Sequence, residues 1–113
     1  MILAIEAALA GLVEPLSPQD GDCMRWQSDI TARLQAASIP ACPLTVWGWI
    51  DHEGKTIDFV HQATGVGGFV VDFTARQFDT DLPRRWIVWN LRYWLELARV
   101  TGVQAVTLTT LAS

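Results

Sequence analysis

A glycine-rich segment, Gly65-Val66-Gly67-Gly68, separates two stretches that are rich in β-branched and aromatic residues. Glycine tolerates the positive φ angles that many hairpin turns require, so this segment predicts a β-hairpin. We expect one strand over Thr56 to Gln62 and the next over Phe69 to Thr74. The chain must therefore contain antiparallel sheet.

The turn of this hairpin predicts which residues of the two strands lie opposite each other. If all four residues of the glycine-rich segment form the loop, Thr64 pairs with Phe69 and, counting outward, His61 pairs with Asp72. Directly opposed residues share a face of the sheet, so these two side chains can hydrogen-bond. A register shift of one residue would place them on opposite faces.

The rest of the sequence predicts helices before and after these strands along the chain. Apolar spacing, prolines and glycines place helices over Ile2 to Val13, Cys23 to Ala37 and Arg84 to Val100, a strand over Leu44 to Asp51 with a turn at residues 52–55, and a last strand over Val103 to Leu111. We expect an α+β fold in a single domain, residues 1–113, with N-terminal helices packed on a small antiparallel sheet and a C-terminal helix and strand. Half of the residues are apolar, which is enough to bury a core without metal or disulfide.

Cys23 is predicted in the first turn of the second helix, which Asp20 or Asp22 can cap. Unpaired N–H groups and the helix dipole lower the pKa of a thiol there, as a nucleophilic cysteine needs. A small buried apolar side chain is the alternative interpretation of Cys23. Cys42 lies between two prolines without a helix start, so we interpret it as structural, and a disulfide between the two cysteines remains open.

A cysteine nucleophile needs a base and a carboxylate that orients the base. The chain has two histidines, and His61 in a strand is held better than His52 in the predicted turn. With Asp72 as its partner, His61 completes the candidate catalytic triad Cys23, His61 and Asp72. A core histidine and a strand-end aspartate are the structural alternatives for the last two.

A Cys at a helix start, a strand His, and the segment Val71-Asp72-Phe73-Thr74-Ala75-Arg76-Gln77-Phe78 together resemble the papain-fold toxin domains of bacterial polymorphic toxins. Through them the chain is similar to the glutamine deamidases. The similarity spans roughly Gly21 to Gly102. Members of this family often have Pro after the Asp, where this chain has Phe73. The resemblance implies a papain-like fold.

The resemblance also implies the roles of the residues and the biology of the domain. Cys23 is expected as nucleophile, His61 as general acid and base, and Asp72 as orienting carboxylate. Gln19 is a candidate oxyanion donor with the backbone N–H of Cys23 as the alternative, and Gln19 can equally be a solvated loop residue. The implied activity is deamidation of protein glutamine, with peptidase or transglutaminase activity as alternatives. The family also implies a secreted or injected effector that acts in the target-cell cytoplasm on a target-cell protein and is neutralised by a cognate immunity protein.

Composition argues against several other classes of protein. A net charge of -4 with scattered Lys and Arg disfavours nucleic-acid binding. The apolar stretches are interrupted by charges or prolines, which disfavours a membrane-spanning helix, and no Cys/His spacing matches a zinc site, so we expect neither metal nor cofactor. The contrasting class is a non-enzymatic binding module that uses some of the six tryptophans.

Overall fold

The computed structural model describes residues 1–51, 53 and 55–110. Within these ranges the chain forms an α+β domain with three α-helices and five β-strands. The helices are α1 (Ile2–Ala8), α2 (Asp22–Ala36) and α3 (Asn90–Thr101), and the strands are β1 (Cys42–Asp51), β2 (Lys55–Val66), β3 (Phe69–Asp72), β4 (Trp86–Trp89) and β5 (Ala105–Thr110). A short 3-10 helix, Ala75–Gln77, lies between β3 and β4.

The five strands form one antiparallel sheet in the order β4-β3-β2-β1-β5, as the predicted α+β class requires. Side chains alternate between its two faces, so that Val70 joins one buried cluster and Val71 the other. Helix α3 packs on the first face through Tyr93 and Leu97. Helices α1 and α2 cover part of the second face. No helix in the described ranges is both long enough and apolar enough to cross a membrane.

The hairpin of β2 and β3 differs from the predicted register. Only Gly67, at φ 58°, and Gly68 form the turn, while Val66 already pairs with Phe69 in the ladder. Thr64 consequently pairs with Val71, so the predicted pairing of Thr64 with Phe69 is wrong. The error amounts to two residues, and an even shift leaves His61 and Asp72 on one face as diagonal neighbours.

Helix α2 confirms the predicted second helix and begins one residue earlier. Cys23 lies in its first turn and is buried. The predicted side-chain cap is wrong: Gly21, at φ 91°, occupies the N-cap position, and the Asp22 carboxylate instead accepts the Gln19 N–H at 2.8 Å. Helix α1 ends at Ala8, earlier than the predicted Val13.

The predicted third helix is wrong over its first part. Trp86–Trp89 forms β4 and pairs with β3, because Trp-Ile-Val-Trp combines the aromatic and β-branched residues that fit a strand. The helical part, α3, ends as predicted at Gly102, whose φ is 77°. The last strand is shorter than predicted, and Leu111, like His52 and Gly54 of the predicted turn, lies outside the described residues.

Candidate active site

His61 and Asp72 form a buried pair on the face of the sheet that α3 covers. Nε2 of His61 lies 2.8 Å from Oδ2 of Asp72, and the two residues are 0% and 1% exposed. Asp72 is the last residue of β3 and follows Val71, whose pairing with Thr64 is the last one between β3 and β2. The predicted hydrogen bond between these side chains is confirmed, although it crosses the sheet diagonally.

Asp72 accepts three more hydrogen bonds, which account for both of its carboxylate oxygens. The Tyr93 hydroxyl donates to Oδ2 over 2.6 Å, and Thr74 donates to Oδ1 through its backbone N–H (2.8 Å) and its hydroxyl (3.2 Å). Burial raises the pKa of Asp72, but the charge and hydrogen bond of His61, with the bonds from Tyr93 and Thr74, outweigh it and lower that pKa. The carboxylate is therefore ionised at neutral pH.

Sequence reasoning missed Tyr93 and Thr74 as members of this network. The Thr74 contact had a usable signal, because an Asp commonly accepts the backbone N–H two residues later. Tyr93 had none, since its helical spacing indicated only a core residue. Both residues are buried, at 1% exposure for Thr74 and 0% for Tyr93.

Cys23 reaches this pair from the N-terminal end of α2. Burial raises the pKa of its thiol, yet the hydrogen bond and charge of His61, with a hydrogen bond from the backbone N–H of Gln62, outweigh burial and the Asp72 charge. The net effect lowers the pKa of Cys23 below its usual value of 9.0. The structure thus brings the three predicted triad residues together.

The pKa of His61 is shifted by the same interactions with Cys23 and Asp72. Its burial lowers the pKa, but the charge and hydrogen bond of Asp72, followed by those of Cys23, raise it from 6.5 to about 9. The raised pKa of His61 and the lowered pKa of Cys23 favour one protonation state, a thiolate beside an imidazolium. That state is the reactive form of a cysteine nucleophile.

The two nitrogens of the His61 ring have different environments. Nε2 faces Asp72, while Nδ1 is buried and has no hydrogen-bond partner within the described part of the chain. Cys23 and His61 shift each other's pKa, so the two side chains lie close together, and Nδ1 is the ring nitrogen that Asp72 leaves for the sulfur. An imidazolium held this way can pass the Nδ1 proton toward a group bound at Cys23.

Aromatic side chains close the site on the α3 side. The ring of Phe78 meets the His61 ring edge-on with centroids 5.0 Å apart, and Phe59 packs on Phe78 at 4.8 Å. Gly48 of β1 leaves the space that the Phe59 ring occupies, since a Cβ there would overlap it. These contacts exclude water from one side of the imidazole.

The remaining candidate residues lie outside this network. Gln19 is exposed, and its side-chain amide donates to the Ser17 carbonyl at 3.1 Å, a contact typical of a loop residue. Cys42 starts β1 and its thiol faces the Gly65 carbonyl at 3.8 Å. Both cysteines are free thiols.

Other parts of the molecule offer little to a cofactor. A cavity of about 510 Å³ lies between the ends of β1 and β5 and shares no lining residue with the triad. In the described ranges, no group of three or more His, Cys, Asp or Glu side chains is arranged to hold a metal ion.

Comparisons with protein-family models, with curated proteins and with solved structures find no match to this chain. The candidate site therefore stands on its own geometry.

Proposed function

We propose that the protein is a cysteine-dependent acyl-transfer enzyme, and that it deamidates glutamine side chains of proteins. The observation that carries the proposal is the buried pair of His61 and Asp72, with Nε2 of His61 committed to the carboxylate at 2.8 Å and Cys23 close enough for the two residues to shift each other's pKa. This leaves Nδ1 for the sulfur. The order of roles is that of a papain-like triad.

The reaction proceeds in two acyl-transfer steps. The Cys23 thiolate attacks the side-chain carbonyl carbon of glutamine, and as the C–N bond breaks His61 gives its Nδ1 proton to the departing ammonia. Water then attacks the thioester, neutral His61 takes one proton from it, and the C–S bond breaks to return the Cys23 thiolate. The carboxylic acid that is released gives its proton to the ammonia, so glutamine and water become glutamate and ammonium.

Asp72 supports both steps without exchanging a proton. It keeps the imidazole oriented and stabilises its charged form, while Tyr93 and Thr74 hold the carboxylate in place. For the oxyanion we favour backbone N–H groups beside the sulfur, at Cys23 and Gln62, over the exposed Gln19 side chain.

Peptidase and transglutaminase activities would use the same triad. Cys23 is only 7% exposed and His61 is fully buried, which favours a slender glutamine side chain over a backbone amide that must bring a whole peptide against the sulfur. The domain is also short for the two walls of a peptidase cleft. A binding module that merely buries Cys23 would not need its thiol pKa to be lowered.

The biological setting of this activity is also a proposal, based on the resemblance to polymorphic toxin domains. The domain would act in the target-cell cytoplasm as part of a secreted or injected effector, on a target-cell protein. An immunity protein would neutralise it in the producing cell.

The proposal is tested with Cys23→Ala and with Cys42→Ala as the matched control for the other free thiol. Each variant is incubated with a lysate of target cells, and proteins are analysed by mass spectrometry for conversion of Gln to Glu. We expect conversion with the wild type and with Cys42→Ala, and none with Cys23→Ala. Loss of toxicity on expression inside cells should follow the same pattern.

Two outcomes would contradict the proposal. New protein termini without Gln-to-Glu conversion would show a peptidase. A Cys23 thiol that stays unreactive toward iodoacetamide until the protein unfolds, with toxicity unchanged in Cys23→Ala, would show a binding module.

A further inference from the structure

Strand β2 is much longer than the partner on one of its sides. It runs from Lys55 to Val66 and pairs with β1 over nearly this whole length, but β3 covers only Thr64 to Val66. Among the described residues, no backbone hydrogen bond joins β2 before Thr64 to the segment between β3 and β4. Before Thr64, the side of β2 that faces away from β1 is therefore a free strand edge among the described residues.

The hydrogen-bonding groups of this edge point away from β1. A two-residue turn makes Val66 and Phe69 a hydrogen-bonded pair, and alternation makes Thr64 and Val71 the next one. Continuing along β2, the N–H and C=O groups of Gln62 and Val60 point to the same side. The N–H of Gln62 is directed at the Cys23 sulfur, so the groups of Val60 and of the residues before it are the ones available to another strand.

The free edge of β2 ends beside the nucleophile Cys23. The Thr64 hydroxyl donates to the Gln27 carbonyl of α2 at 3.2 Å, one turn after Cys23. The Gln62 N–H helps to lower the pKa of the Cys23 thiol, so the sulfur lies beside Gln62 at the end of this edge. Beside this edge, on the face that carries α2, the side chains of Val60 and Ile57 are 51% and 45% exposed. They offer apolar contacts to alternate side chains of an added strand.

We propose that the edge of β2 from Thr56 to Val60 binds an extended segment of the substrate protein as an added β-strand, which ends beside Gln62 and presents its glutamine to Cys23. The inference rests on the proposed function and names its substrate class: glutamines in flexible loops or termini that can become extended. Main-chain pairing would supply the affinity, and contacts with Val60 and Ile57 a preference for apolar residues at alternate positions.

The test uses Val60→Pro, with Val60→Thr as the matched control. Proline lacks the outward N–H, and because Val60 does not donate to β1, strand β2 tolerates the ring. The probe is a blocked peptide of alternating Thr and Val with a central Gln and a Lys at each end, and ammonia release is measured. We expect KM to rise about tenfold in Val60→Pro, the effect of one lost hydrogen bond with its desolvated partner, and by only about twofold in Val60→Thr, which keeps the N–H and loses part of the apolar contact.

Two further measurements keep this result interpretable. The rate of Cys23 alkylation should be the same in both variants, since the side chains of Val60 and His61 point to opposite faces of β2. N-methylation of the peptide at successive positions should raise KM only at alternate residues, because an added strand pairs through every second amide.

Other outcomes overturn the inference. Equal KM values for the two variants, or deamidation of a folded protein but never of the peptide, would remove the added strand and leave the proposed function standing. A dimer that dissociates in Val60→Pro would assign the edge to a second copy of this chain. Absence of ammonia from every substrate would sink the proposed function and the inference together.

Discussion

The Tyr93 hydroxyl donates a hydrogen bond to Oδ2 of Asp72 over 2.6 Å, and this is the same oxygen that Nε2 of His61 faces at 2.8 Å. Helix α3 thereby fixes the carboxylate that orients the imidazole. Tyr93 is a positioning residue, because it acts on the reaction through Asp72.

Replacing Tyr93 with Phe tests this link. The change leaves a buried oxygen with one hydrogen bond fewer, so we expect the free energy of unfolding to fall by about 1–3 kcal/mol. In the proposed reaction kcat should fall about tenfold with little change in KM, since Tyr93 does not face the substrate. Arg92→Ala, at an exposed position of the same helix, is the control. An unchanged kcat beside a lowered stability would make the role of Tyr93 purely structural.

Asp72→Asn tests whether the Asp72 carboxylate keeps His61 protonated. Without the carboxylate the pKa of His61 should fall from about 9, and a neutral imidazole at neutral pH no longer stabilises the Cys23 thiolate. We expect iodoacetamide to react with Cys23 more slowly at pH 7, with the rate rising only at higher pH, and deamidation to fall about 100-fold or more. Asp58→Asn, exposed on β2, should behave like the wild type. An identical alkylation profile in Asp72→Asn would contradict the coupling.

The sequence alone predicted the α+β class, helix α2 and the meeting of His61 with Asp72. The last prediction succeeded although its register was wrong by two residues, since side chains alternate with period two and an even error conserves the face. The turn length escaped prediction because each of the four residues of the glycine-rich segment fits either a turn or a strand.

Strand β4 and the role of Tyr93 could not be predicted for a different reason. Trp86 and Trp89 are spaced like residues on one side of a helix, and only pairing with β3 makes their segment a strand. Tyr93 acquires its hydrogen bond from tertiary packing of α3 on the sheet, which a local pattern does not encode. Contacts between residues that are distant in the sequence therefore determine both strand β4 and the hydrogen bond of Tyr93.

Gly48→Ala should disturb the site from a distance. A Cβ at this position overlaps the Phe59 ring, which packs on Phe78 and through it on His61. We expect a loss of about 1–3 kcal/mol in the free energy of unfolding, measured by urea denaturation. Gly65→Ala is the matched control, since its Cβ would lie 3.5 Å from the Cys42 sulfur, an ordinary contact. Equal stability of the two variants would show that Phe59 moves without cost.

The pH dependence of stability should reveal the raised pKa of His61. A group whose pKa is higher in the folded state stabilises that state most below its unfolded pKa of 6.5, and this stabilisation is lost as pH rises through the folded value of about 9. To remove the ionisation of the thiol, the measurement compares Cys23→Ala with Cys23→Ala/His61→Gln. Asp72, the main source of the raised His61 pKa, is present in both.

We expect the stability difference between these two proteins to be largest near pH 6 and to shrink steadily toward pH 10, where His61 is neutral when folded. In the protein that keeps His61, Asp72 stays ionised across this range, because its pKa is lowered below the usual 3.8, so it adds no slope to the stability curve of that protein. Urea denaturation at intervals of one pH unit gives the curve. A stability difference that does not change between pH 6 and 10 would mean that His61 is neutral in the folded protein. That result would contradict the pairing of a Cys23 thiolate with a His61 imidazolium.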